Sequence, residues 1–127
     1  MNAAVEFDVP ARAEYVGLLR VLVSSLAAER RDLDDERLDD LRLALSEACS
    51  LSVDADAATE RRLTVACREE DDAFVLDVSG GGPGSWAEVV GLQLIRALVD
   101  DVSAVNVGGE DLLRLRLLCP PAPPYQD

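Results

Sequence analysis

Glu47 is the carboxylate in this sequence that solvent explains least easily. It stands in Leu41-Arg42-Leu43-Ala44-Leu45-Ser46-Glu47-Ala48-Cys49-Ser50-Leu51-Ser52-Val53, a stretch with no other charge after Arg42. A charge in such company reaches water at the rim of a helix face, pairs with a cation, or does chemistry. The cluster Gly80-Gly81-Gly82-Pro83-Gly84 is a second point of interest, although a glycine cluster this short reads by itself as a flexible turn. Much other chemistry is excluded at once. The chain has no histidine, which removes a Ser-His-Asp triad, a histidine phosphoacceptor and histidine metal sites. Cys49, Cys67 and Cys119 are odd in number and lack a short paired spacing, so neither a zinc ribbon nor a disulfide framework is indicated. They read as small buried hydrophobes of a reducing cytosol. Cys119 is expected at a fraying strand end, and so to meet a thiol reagent first.

The elements that must position Glu47 follow from periodicity. Leu38, Leu41, Leu45, Ala48 and Ser52 recur at helical spacing, and Leu43, Ala44, Cys49 and Leu51 widen that face into a largely buried helix ending near residue 53. Asp34 or Asp35 is placed to cap it. Before it, Val5, Phe7 and Val9 alternate with acids in a strand ended by Pro10, and an amphipathic helix spans residues 11–29. After it, residues 54–60 form a loop. Leu63, Val65 and Cys67, then Phe74, Leu76 and Val78, alternate as two strands of a hairpin turning at residues 69–72. A helix is predicted from Trp86 to about Asp101, followed by a short strand at Val105 and Val107, a Gly108-Gly109 turn and a strand through Leu113, Leu115 and Leu117. This order, β-α-α-β-β-α-β-β, points to an α+β two-layer sandwich with a mixed β-sheet and its helices on one face. Residues 1–118 read as one domain, and residues 119–127, rich in proline, as a tail.

Length and charge set further bounds. One domain's worth of chain, 127 residues, carries a net charge of −13. An acidic protein lacks the basic footprint that nucleic-acid binding requires. The charge fits a basic protein partner, and equally a surface tuned for solubility. No signal peptide opens the chain and no apolar run is long enough to span a membrane, so a cytoplasmic location without membrane contact is expected.

The stretch from Leu41 to Val53 resembles the second helix of the anti-sigma-factor serine kinases. These are small members of the GHKL (Bergerat-fold) superfamily, also called histidine-kinase-like ATPases. The run Leu94-Ile95-Arg96-Ala97-Leu98-Val99-Asp100-Asp101-Val102 resembles the last helix of the same family, and the likeness extends over residues 5–118. The resemblance implies the Bergerat fold and three nucleotide boxes. In the first, Glu47 matches the activating carboxylate, but the magnesium-binding asparagine four residues on is Leu51. The second keeps its glycines at Gly82 and Gly84 but has Gly80 in place of the adenine-binding aspartate, with Asp77 as a possible substitute three positions earlier. The third begins with Gly91, and its second glycine is Gln93.

Each box has thus lost one functional residue. A degenerate anti-sigma-factor-like regulator is therefore expected, one that controls transcription by binding a sigma factor or an anti-anti-sigma factor. It would hold no cofactor, with Glu47 a relic and a homodimer plausible. The alternative is an active ATP- and magnesium-dependent serine kinase of an anti-anti-sigma factor, with Glu47 as base and Asp77 on the adenine. A regulatory domain with an unrelated client also remains open.

Overall fold

The computed structural model describes residues 4–53, 61–80 and 92–123. Strand β1 (Val5–Pro10) leads through a single 3-10 turn (Ala13–Tyr15) into helix α1 (Val16–Arg30) and then α2 (Asp35–Ser52). Strands β2 (Arg62–Glu70) and β3 (Ala73–Ser79), helix α3 (Leu92–Leu98), and strands β4 (Asp101–Val107) and β5 (Glu110–Leu118) follow. The five strands form one sheet in the order β1-β2-β3-β5-β4. Every neighbouring pair is antiparallel, so the sheet is not mixed as expected. The physical reason is that β5 folds back from β4 and inserts between β3 and β4, separating the two strands that run the same way.

Alternation decides which side of the sheet forms the core. Leu63, Val65 and Cys67 of β2, Phe74, Leu76 and Val78 of β3, and Leu113, Leu115 and Leu117 of β5 join Leu19, Val23 and Ala27 of α1 in one buried cluster. Leu41, Ala44, Leu45 and Ala48 of α2 and Ile95 of α3 complete it. The helical face predicted for α2 is buried, except that Leu43 is exposed and Leu51 only half-buried. The reason is geometric: a stripe of about 100° serves one sheet, and Leu43 falls outside it.

Local chemistry fixes the ends. Asp34 caps α2, its carboxylate accepting from the Arg37 amide at 2.8 Å, and Asp35 and Glu36 occupy the first turn, where the helix dipole favours acids. The β4–β5 hairpin turns on Gly108 (φ 61°) and Gly109 (φ 86°), the left-handed pair a two-residue turn of this hand demands. Strand β4 begins at Asp101, several residues earlier than alternation alone indicated.

The segment after β5 departs most from expectation. It is no free tail at its start: the Asp32 amide donates to Pro120 O and the Ala122 amide to Arg30 O, both at 2.9 Å. Arg31, which is 3% exposed, lies beneath this strap and donates to the carbonyls of Cys119 and Asp71 and to Glu69. Cys119 is in consequence buried like Cys49 and Cys67, not frayed at an edge. Burial pushes the thiols of Cys49 and Cys67 up to about 12, with the charge of Asp77 adding to the rise at Cys67. Brief alkylation of the native protein should therefore label none of the three appreciably, with Cys119, 6% exposed, ahead of the other two. Mass spectrometry with and without denaturant checks this, and rapid native labelling at Cys49 would contradict the packing of α2.

Candidate functional site

Hydrogen bonds at one end of the sandwich fix which residues meet at the other. Arg37, in the first turn of α2, donates to Asp100 Oδ2 at 2.7 Å and to Leu118 O at 3.0 Å. The Leu118 amide donates to the same Asp100 oxygen, and the Asp100 amide donates to Arg116 O. The start of α2, the segment after α3 and the end of β5 are thus tied together. Leu118 pairs with Ala73 at the start of β3. The far end of α2, with Glu47 and Leu51, the start of α3, with Gln93, and Gly80 after β3 must therefore lie at the opposite end. Burial of Asp100 raises its pKa, and the bonds from Arg37 and the Leu118 amide, with the charge of Arg37, outweigh this and hold it below the usual carboxylate value.

Glu47 is half-buried and makes no hydrogen bond or ion pair among the described residues. Leu51, one turn on, is half-buried and packs its side chain on the core. Its side chain carries no oxygen with which to bind magnesium. Gln93 is exposed on α3. Gly82, Gly84, Gly91 and the expected start of the last helix at Trp86 lie outside the described residues, as do residues 54–60 and 124–127.

Gly80 is the most constrained of these positions. Its φ is +90°, and a Cβ built on it would lie 2.0 Å from the Arg62 carbonyl oxygen at the start of β2. No side chain fits there unless the backbone moves.

Asp77 is elsewhere. Leu76 and Val78 point into the core, so Asp77 between them lies on the sheet face opposite the helices. There Arg114 grips it through two bonds, Nε to Oδ1 at 2.8 Å and Nη2 to Oδ2 at 3.1 Å, and Arg68 Nη1 donates to Oδ2 at 2.5 Å. Burial raises the Asp77 pKa, and the bonds and charges of the two arginines overcome that and lower it. The substitute contact to adenine is therefore misplaced: Asp77 faces away from Glu47, Leu51 and Gly80, and its oxygens are already bonded. Alternation of Arg68, Asp77 and Arg114 along three strands carried the signal for this clamp. Only the order of the strands was needed to read it.

A groove of about 380 Å³ lies between α1 and α2, lined by Ala13, Val16, Gly17, Arg20, Ser46, Ser50 and Val53. Arg20 Nη1 donates to Ser46 Oγ across it at 3.3 Å. Leu18 and Val21 of α1, Leu43 of α2 and Leu94 of α3 are the exposed large apolar side chains of the described helices.

An antiparallel sheet with helices on one face is the two-layer architecture that the histidine-kinase-like ATPase fold shares. A family model described as the histidine kinase-like ATPase domain matches residues 9–117. The serine-protein kinase RsbW of Bacillus subtilis is 32% identical, over 83% of this chain and 79% of its own length. The anti-sigma-F factor RsbW of Mycobacterium tuberculosis is also 32% identical, over 83% of this chain but 63% of its own length. A crystal structure of the RsbU and RsbW domains of a Mycobacterium tuberculosis protein superposes with a TM-score of 0.72 at 20% identity. That likeness covers 95% of this chain and 33% of the other. The chain belongs to the histidine kinase-like ATPase domain family, and within it to the anti-sigma-factor serine kinases.

Among the described residues, those at the matched positions do not supply the groups that a magnesium nucleotide would need there. Leu51 supplies no oxygen and Gly80 no carboxylate, Asp77 is committed on the other face, and Gln93 puts a side chain where a glycine would let backbone approach phosphate.

Proposed function

We propose that this protein is an anti-sigma-factor-like regulator that acts by binding a protein partner and does not use ATP. The observation that carries the reading is Leu51, an apolar residue packed on the core at the position of the magnesium ligand. Family membership supports a partner of the sigma-factor or anti-anti-sigma-factor class. The net charge of −13 supports an encounter steered by a basic surface on that partner. The exposed Leu18 and Val21 of α1 and Leu43 of α2 offer apolar area for the partner to cover. Glu47 is a relic on this reading, since phosphoryl transfer depends on the metal that Leu51 cannot hold.

The kinase alternative loses its carboxylate for adenine among the described residues, because Asp77 is held by Arg68 and Arg114. The loss of several contacts, each worth about 1–3 kcal/mol, moves nucleotide affinity from micromolar to millimolar or weaker. Isothermal titration with ATP and magnesium is the test, with no saturable heat expected below millimolar nucleotide. A clear micromolar isotherm would overturn the proposal. The Leu51→Asn variant alone should remain without ATPase activity, because Gly80 and Gln93 are unchanged. Turnover in that variant, measured as phosphate release, would mean that the other two boxes matter less than their geometry indicates.

A further inference from the structure

We infer that the position of the lost adenine aspartate is closed to any side chain by the main chain of β2, so that restoring the lost side chains does not restore nucleotide binding. This rests on the reading that the protein does not use ATP, and it says why that state is locked. A lost side chain alone would leave a vacancy that a point mutation could refill. Gly80 is different. Its backbone turns at φ +90°, and the space of a Cβ is already taken by the Arg62 carbonyl oxygen at 2.0 Å and its carbon at 3.0 Å. The neighbouring backbone adds to the crowding, with the Leu63 Cα at 3.5 Å.

The obstructing group cannot step aside cheaply, because β2 is anchored there from its other edge. Arg62 pairs with Pro10 in the register of β1, its Nε donates to Asp8 Oδ1 at 2.9 Å, and its Nη2 donates to Asp8 O at 3.2 Å. The Ala11 amide donates to Arg61 O at 2.9 Å in the same row. Moving the Arg62 carbonyl away from residue 80 would therefore pull on β1 as well as β2. An aspartate at this position needs both that displacement and a left-handed backbone that only glycine adopts freely.

The consequence concerns regulation. On the proposed reading neither ATP nor ADP tunes partner affinity, because the aspartate that would hold adenine has no room at residue 80. The chain itself supplies no phosphoryl transfer.

Two variants test this together with the wild type: Leu51→Asn/Gln93→Gly, which leaves residue 80 untouched, and the triple variant that adds Gly80→Asp. The double variant should fold and bind no ATP in calorimetry. The triple variant should melt below the double by about 10 °C or more. Gly80→Ala in the wild-type background should fall in the same direction, since the Cβ is the offending atom. A triple variant as stable as the double would overturn the inference, whether or not it binds ATP, because it would show that a side chain fits. ATP binding by the wild type would instead overturn the proposed function. Equal melting temperatures for Gly80→Ala and wild type would remove the steric premise.

Discussion

Replacing Arg31 with alanine should lower the unfolding free energy by about 3 kcal/mol, the range seen when one partner of a buried charged network is removed. Arg31 is not at any site of chemistry, yet three segments converge on it. Its guanidinium donates to the Asp71 carbonyl in the β2–β3 turn, to the Cys119 carbonyl after β5 and to Glu69 on β2. Its backbone joins the bridge to Pro121, flanked by the bonds of Arg30 and Asp32 to the same strap. Without the side chain, buried carbonyls lose their donors, and the strap keeps only backbone bonds. Arg31→Lys should recover only part of the loss, because an ammonium cannot span acceptors that a planar fork reaches together. Urea denaturation of the three proteins measures the differences. A variant within about 0.5 kcal/mol of wild type would mean that the strap holds without its arginine. The Nε atom of Arg31 has no partner among the described residues, which sets a limit on how well the network is satisfied.

Arg31 also shows where the sequence runs out as a guide. Its neighbours Glu29-Arg30-Arg31-Asp32-Leu33-Asp34-Asp35-Glu36-Arg37 read as a solvated connection, and most of them are exposed. Nothing in that run distinguishes Arg31 from Arg30, because what buries it comes from residues 71 and 119, far along the chain. The prolines misled for the same reason. Proline cannot continue a ladder as a donor, but Pro120 takes part as an acceptor, and Pro121 sits in a bridge. Local periodicity, by contrast, held where one face meets one sheet. The buried side of α2, the alternation of β2, β3 and β5 and the glycine turn at 108–109 were all legible, because each depends on neighbours in sequence. The strand order and the antiparallel sense were not, since β5 reaches its place between β3 and β4 by a long-range pairing. The candidate site divides in the same way. The types of residue at 51, 80 and 93 could be read directly, whereas the crowding at Gly80 by Arg62 and the commitment of Asp77 needed coordinates.

Asp77 leads to the second large effect, a loss of stability in acid that one substitution should remove. Its carboxylate is held by Arg114 and Arg68 on the outer sheet face, where these partners cover it to 9% exposure. The bonds and charges of the arginines overcome the opposing effect of burial, so its folded pKa lies below the ordinary value of 3.8. A depressed pKa means that the folded state holds the proton less well than the unfolded chain does. The resulting stability is therefore fully present above the unfolded value and is lost as pH falls through the folded one. Asp100, held by Arg37 and the Leu118 amide, has the same sign. Wild-type melting temperature should then decline as pH falls below about 5, and stay nearly level from about pH 5 to pH 7. Asp77→Asn should cost about 2 kcal/mol at neutral pH, because the three arginine bonds lose their carboxylate, only one amide oxygen remains to accept, and two arginines are left facing each other. The same variant should lose less than wild type on acidification, so that the two curves converge as pH falls through the lowered folded pKa of Asp77. Adding Asp100→Asn should flatten the curve further. Parallel curves for wild type and Asp77→Asn across the whole range would show that Asp77 contributes no linked stability, and that the clamp with Arg68 and Arg114 is an ion pair of the surface kind.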